Sequence, residues 1–244
     1  MNSQPQIGFY RSLLGQSIPP TPPFANQYSM IFDGVDECII FADDVAFKST
    51  VKNTISLWFK CTTIGSGTRR IFDTGGQRLG LLGSTNQLRY QVGSDDIRVS
   101  GLTLTDGNWH HAMGCFDGST RIARVYYDGA LVYTKNPTIN SSYSPQLWNG
   151  VGSTYLGTAD FFNGSIDEVA FWHDTDQSAN ISSIYNGGTP TDLSLLPTQP
   201  TNYLRMGDGA TWSGVDWQIP DLGLMSGTRR TRNMEIGDRQ LDVP

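Results

Sequence analysis

Glutamate and lysine are scarce in this chain. Of 23 acidic residues only Glu37, Glu168 and Glu235 are Glu, and of 17 basic residues only Lys48, Lys52, Lys60 and Lys135 are Lys. Both are good helix formers, whereas Asp and Gly favour turns, and Gly occurs 27 times. A chiefly helical chain is thereby excluded, and strands joined by turns are predicted. Long apolar runs are also missing. None approaches the roughly 18 residues of a helical membrane span. Met1–Tyr10 has no basic n-region and no continuous apolar core, so no export signal is visible. A net charge of -6 offers no long-range attraction to a polyphosphate, which argues against sequence-independent nucleic-acid binding. Cysteine is limited to Cys38, Cys61 and Cys115, widely spaced and with no CxxC pair, so neither a metal cluster nor a disulfide framework is expected. Each lies in an apolar strand pattern, where a free thiol behaves as a small buried hydrophobe. One disulfide with one thiol left over is the alternative.

What the chain does contain is enough apolar and aromatic material for a sizeable core: 38% hydrophobic and 11% aromatic over 244 residues. Residues 1–27 form a polar arm in which Ser17-Ile18-Pro19-Pro20-Thr21-Pro22-Pro23 is expected to be extended or polyproline-like. From residue 28 the period becomes two. Ile55, Leu57, Phe59 and Cys61 alternate with Thr54, Ser56, Trp58 and Lys60, and Leu88, Tyr90 and Val92 repeat the pattern. Turn pairs recur at Asp33-Gly34, Gly75-Gly76, Asp106-Gly107, Asp117-Gly118 and Asp128-Gly129. Val125–Val132 around Asp128-Gly129 reads as a two-residue hairpin. About a dozen such strands predict an all-β, two-sheet antiparallel sandwich. One short helix is expected after Asp176 or Ser178, with Ile181, Ile184 and Tyr185 on one side and Asn186-Gly187-Gly188 as its stop. The sandwich is assigned to 28–224, including a returning strand near 201–206. The charged tail 225–244 has little to bury and is expected on a partner or in solvent.

Four segments in order carry a family resemblance. Tyr28–Asp36 (YSMIFDGVD) resembles the opening strand and turn of laminin-G-like, concanavalin-A-like domains. Asn53–Phe59 (NTISLWF) resembles their next long strand. Gly107–His111 with Val125–Val132 resembles their "W-H-H … Y-x-D-G" hairpin, and Asn163–Trp172 their "G-x-I-D-E-V" strand. The set covers roughly 28–188, and a looser likeness of 204–228 is to such domains from tailed phages and marine microbes. The resemblance implies a jelly-roll-like β-sandwich with one short helix and extended terminal arms. For some members it also implies a structural Ca²⁺, with Asp33 and Asp167 at the matching positions and Asp36, Glu37 and Glu168 as weaker candidates. Carboxylates and turn carbonyls suit calcium, but Asp33 equally suits an Asx turn and Asp167 a side-chain-to-backbone bond.

The superfamily includes glycosidases, which need two carboxylates flanking the scissile bond. No Glu here has another carboxylate two or four places along a strand, and Asp43-Asp44 and Asp95-Asp96, being adjacent, would diverge. No catalytic residue is therefore assigned. His110 and His111 would face opposite sides of a strand and are read as packing or hydrogen-bonding groups. Sugar binding remains open. Trp148 beside Asn149, with Tyr143 and Tyr155 nearby, combines aromatic faces and an amide as a lectin site would, although Trp also fills sandwich cores.

These features converge on a non-enzymatic binding or structural role. The first expectation is a phage virion protein, a capsid decoration or a tail or fibre component. Its arms 1–27 and 225–244 would lie on other virion proteins in a homo-oligomer or larger assembly, and its surface would grip a host glycan. The alternative is a carbohydrate-binding module of a cellular or extracellular protein. No nucleic-acid or membrane partner is expected.

Overall fold

The computed structural model describes residues 24–42, 52–137 and 148–244. Seventeen strands, numbered in chain order, form two antiparallel sheets that share one edge. The first sheet runs β17 (Arg239–Gln240), β1 (Ser29–Asp33), β12 (Asn163–His173), β3 (Lys52–Lys60), β8 (His110–Asp117), β9 (Ile122–Tyr127), β10 (Ala130–Lys135). The second runs β16 (Gly227–Arg232), β2 (Cys38–Ala42), β11 (Trp148–Val151), β4 (Thr68–Asp73), β5 (Gln77–Leu82), β6 (Gln87–Val92), β7 (Asp95–Val99). Beside β12 lies β13 (Asn202–Leu204). A small ribbon, β14 (Thr211–Trp212) and β15 (Trp217–Asp221), links β13 to β16 and so joins the sheets. This is the all-β antiparallel sandwich that strand period and turn spacing predict.

Alternation builds the core. Ile55, Leu57 and Phe59 point inward, as do Leu88, Tyr90 and Val92 from the facing sheet, and all six are fully buried. Phe72 and Phe171 meet across the gap with ring centroids 6.0 Å apart. The expected hairpin is β9–β10, with Asp128 and Gly129 at φ 45° and 76°, the pair of positive angles that a type I′ turn requires.

One strand departs from simple alternation. In β12, Glu168 and Val169 stand opposite the single residue Leu57 of β3, and Glu168 has φ 49°. This bulge reverses the parity. Ile166 faces the core before it, Val169 and Phe171 after it, and Asp167, Ala170 and Trp172 fall on the outer face. There Trp172 and Ala170 join Met113, Cys115, Tyr126 and Tyr203 in a second apolar cluster. That cluster is roofed by the segment carrying the helix α1 (Ile181–Tyr185). Asp176 accepts from the Ser178 amide at 2.9 Å, and Asn186 ends α1 at φ 47°. The helix is a single turn, with Ile184 as its one buried residue.

Two boundary expectations are corrected. The tail 225–244 is built into the sandwich: β16 pairs with β15 and β2, and β17 with β1. Its arginines do not prevent this, because Thr231 turns inward while Arg229 finds the buried Asp221 at 2.7 Å. Near its end Asp242 accepts from Trp109 at 3.1 Å and pairs with Lys60. The arm assigned to 1–27 has residues 24–27 docked on the same domain. Arg205 donates to the Ala25 carbonyl at 2.6 Å and lies 4.1 Å from the Phe24 ring, and the Gln27 amide donates to Asp208 at 3.0 Å. Residues 1–23 lie outside the described residues.

The three thiols are free and buried, which removes the disulfide alternative. Burial pushes the Cys61 thiol up to about 11.

Candidate functional site

The two carboxylates singled out for calcium lie apart. Asp33 ends β1 opposite Asn163, four places before Asp167 on β12, which is about 13 Å at strand rise. Asp33 is exposed and accepts from the Val35 amide at 2.7 Å, an Asx turn. Asp167 is fully buried, accepting from Asn26 Nδ2 and the Glu168 amide, each at 2.9 Å. Among the described residues no group of three Asp, Glu, His or Cys side chains is arranged to hold a metal ion. Asp33 and Asp167 therefore do not fit one shared calcium ion. Of the weaker candidates, Glu37 binds the Asp33 amide at 2.7 Å in the same turn.

Asp167 and Glu168 form a buried acidic pair at the bulge. Glu168 accepts from the Tyr203 hydroxyl and from Arg205 Nε at 3.2 Å. Burial pushes its carboxyl up to about 7, with Tyr203 and Arg205 opposing the rise. Burial first, and then the Glu168 charge, hold Asp167 well above the usual carboxylate range. Asn26 of the segment 24–27 bonds to Asp167, and Tyr203 and Arg205 hold Glu168, so the pair anchors the chain rather than facing a ligand.

The histidines are also structural. His111 is buried against Trp58 and Tyr185 and bonds to Ser56 Oγ at 2.8 Å. Burial lowers its pKa to about 4. His110 bonds to Asp128 at 2.8 Å and Asp106 at 3.0 Å. Burial lowers its pKa, but these two carboxylates more than offset that and leave it raised.

The aromatic candidates behave differently. Trp148 opens β11 on the outer face of the second sheet and is 44% exposed. After β11 the chain loops back. Gly157 at φ 66° lies so close to β2 that a Cβ there would meet Ile40 at 2.9 Å. Bonds from the Gly157 amide to Thr154 and from the Thr154 amide to Ala159 close the loop, with Tyr155 and Leu156 at its tip. Trp148, Tyr155, Leu156, Ile40 and Arg232 thus line one open cavity of about 120 Å³. Asn149, expected as the amide of this site, is instead 4% exposed. Strand alternation turns it to the face opposite Trp148. Tyr143 lies outside the described residues. Arg232, Leu156 and Ile40 were not anticipated. Arg232 was legible only as one of an Arg-rich run, and Ile40 as the weakly buried member of an apolar strand.

Two larger cavities are less suited to a ligand. One, about 340 Å³, is lined by Tyr185, Asp128, Gly129 and Ser182. The Tyr185 ring already packs on Trp58, His111 and Gly129, and both oxygens of Asp128 are engaged by His110 and the His111 amide. The other, about 280 Å³, includes Lys60, whose charge Asp242 already pairs.

Similar folds occur among solved structures. A candidate carbohydrate binding protein from Bacteroides ovatus superposes with a TM-score of 0.65 at 17% identity, over 86% of this chain and 59% of that one. The chain thus spans about three fifths of that protein's length. The heptameric SAP-like pentraxin of Limulus polyphemus gives 0.51 at 16% identity, over 68% and 85%. A botulinum neurotoxin type C structure concerned with interaction with two ganglioside molecules gives 0.50 at 11% identity, over 75% and 51%. At such identities the likeness is one of fold. No curated protein matches the chain. Residues 33–182, more than half of the sequence, match the laminin-G family model described as the Concanavalin A-like lectin/glucanases superfamily, and the chain belongs to that family.

Proposed function

We propose that the protein is a non-enzymatic carbohydrate-binding module whose ligand stacks on Trp148. The observation that carries this reading is a tryptophan left 44% exposed beside Tyr155 and Leu156 in one open cavity on a rigid sheet. Sugar rings present apolar C–H faces to such aromatics, while a few polar groups fix their orientation. The burial of two glutamates and the lining of the cavity support the absence of hydrolysis in this reading. Glu37 and Glu168 are buried and hydrogen-bonded, and no carboxylate lines the cavity among the described residues. The likeness of fold to a candidate carbohydrate binding protein is consistent with this reading.

A role in a virion or another assembly has less support. The segment expected as a C-terminal arm is paired into the sandwich, and residues 24–27 dock on the same domain. The test is a glycan array followed by titration calorimetry. Trp148→Ala should weaken binding about five- to thirtyfold while leaving the melting temperature within about 2 °C, since stacking on one aromatic is worth roughly 1–2 kcal/mol. Retained affinity in Trp148→Ala, or release of reducing ends from a bound glycan, would overturn the reading.

A further inference from the structure

Resting on that reading of the Trp148 cavity, we infer that the glycan it takes carries a carboxylate on the sugar that enters, with Arg232 as the carboxylate's partner. Arg232 closes β16 opposite Cys38 of β2, while Trp148 stands opposite Ala42 on the other side of β2; Ile40 lies between them, and Arg232, Ile40 and Trp148 line the same cavity. Its neighbours are committed. Arg229 pairs with the buried Asp221 at 2.7 Å, and Arg230 reaches Asp216 at 3.8 Å. Arg232 is exposed and has no ion-pair partner among the described residues. Most described arginines find a carboxylate; Arg69, Arg121 and Arg239 share this lack, but only Arg232 of the four lines the Trp148 cavity. Among the described residues no acid lines the cavity to repel an anion.

A neutral sugar on Trp148 would leave this guanidinium unused. A uronic or nonulosonic acid fills both features at once, its ring over the indole and its carboxylate in the planar fork of donors. That fork matches a carboxylate with two parallel bonds. A single arginine also favours the planar carboxylate over a sulfate ester, which offers three oxygens in a tetrahedral arrangement.

The experiment uses the full chain. An array of acidic, neutral and sulfated glycans is screened first. The best acidic hit is then titrated against its methyl ester. The acid should bind about ten- to a hundredfold tighter than the ester, the scale of a charge-assisted bond. Arg232→Gln should abolish that gap while keeping the ester's affinity, and Trp148→Ala should weaken both. Arg230→Gln, outside the cavity, should leave the gap intact. Equal affinity for acid and ester, a gap that survives Arg232→Gln, or retention of sulfated and neutral glycans only, overturns the carboxylate while leaving glycan binding standing. No retention of any glycan overturns both.

Discussion

Replacing Glu168 by Gln is expected to change how stability depends on pH by a calculable amount. Glu168 is 2% exposed, at a bulge where Tyr203 and Arg205 hold its carboxyl. Burial raises its pKa from 4.5 to about 7. Between those values the folded chain keeps a proton that the unfolded chain releases. The group's stabilising share is therefore full below pH 4.5 and lost as pH rises through 7. The gap corresponds to about 3 kcal/mol. Glu37, raised to about 7 by burial, acts in the same direction. His111, lowered to about 4 by burial, acts in the opposite one: its share is full above 6.5 and lost as pH falls through 4. The raw curve of the natural protein mixes these three with Asp167; the difference between it and Glu168→Gln cancels Glu37 and His111, while loss of the Glu168 charge also relieves Asp167, which moves the difference in the same direction. Gln is nearly isosteric, can accept from Tyr203, and leaves Arg205 with Asp208 at 3.2 Å. Denaturant unfolding at pH 4, 5, 6, 7 and 8 should show Glu168→Gln gaining on the natural protein by about 3 kcal/mol from one end to the other. In melting temperature that is roughly 6–12 °C for a chain of this size. A difference that does not move with pH, or that moves the other way, would refute the assignment of a buried, proton-holding Glu168.

Two further outcomes follow from the same structure. Cys38, Cys61 and Cys115 are buried and free, and burial raises the pKa of each. An aromatic disulfide reagent should therefore find almost no thiol in the native protein and three after denaturation; fast native labelling would contradict the burial. Asp33 and Asp167 are set apart, so a chelator should leave the melting temperature unchanged. A fall that added calcium restores, and that Asp167→Asn abolishes, would contradict the separation of the two carboxylates.

Much of this fold was readable along the chain because its information is local. The alternation of Ile55, Leu57 and Phe59 marks one buried face, and Asp128-Gly129 supplies the two positive φ angles of its hairpin. Such patterns depend on a residue and its near neighbours alone. The candidate site was legible in half. Trp148 and Tyr155 were marked by residue type, whereas Asn149 was misplaced because adjacent strand residues point to opposite faces, so a neighbour in sequence is not a neighbour in the site.

The tail shows the limit most plainly. Residues 225–244 are polar and charged, and composition alone reads them as having nothing to bury. Their place in both sheets depends on the nearby Asp221, which Arg229 satisfies, and on the distant Trp109 and Lys60, which Asp242 satisfies. The same holds for Arg232, whose meaning lies in sharing a cavity with Trp148 across β2. Strand period, turn chemistry and the family are properties of neighbouring residues and follow from the amino-acid order. Which acids are buried, which arginine stands in the cavity, and which aromatic is left in solvent depend on packing between segments that can lie a hundred or more residues apart. Those questions were settled only when the two sheets closed on each other.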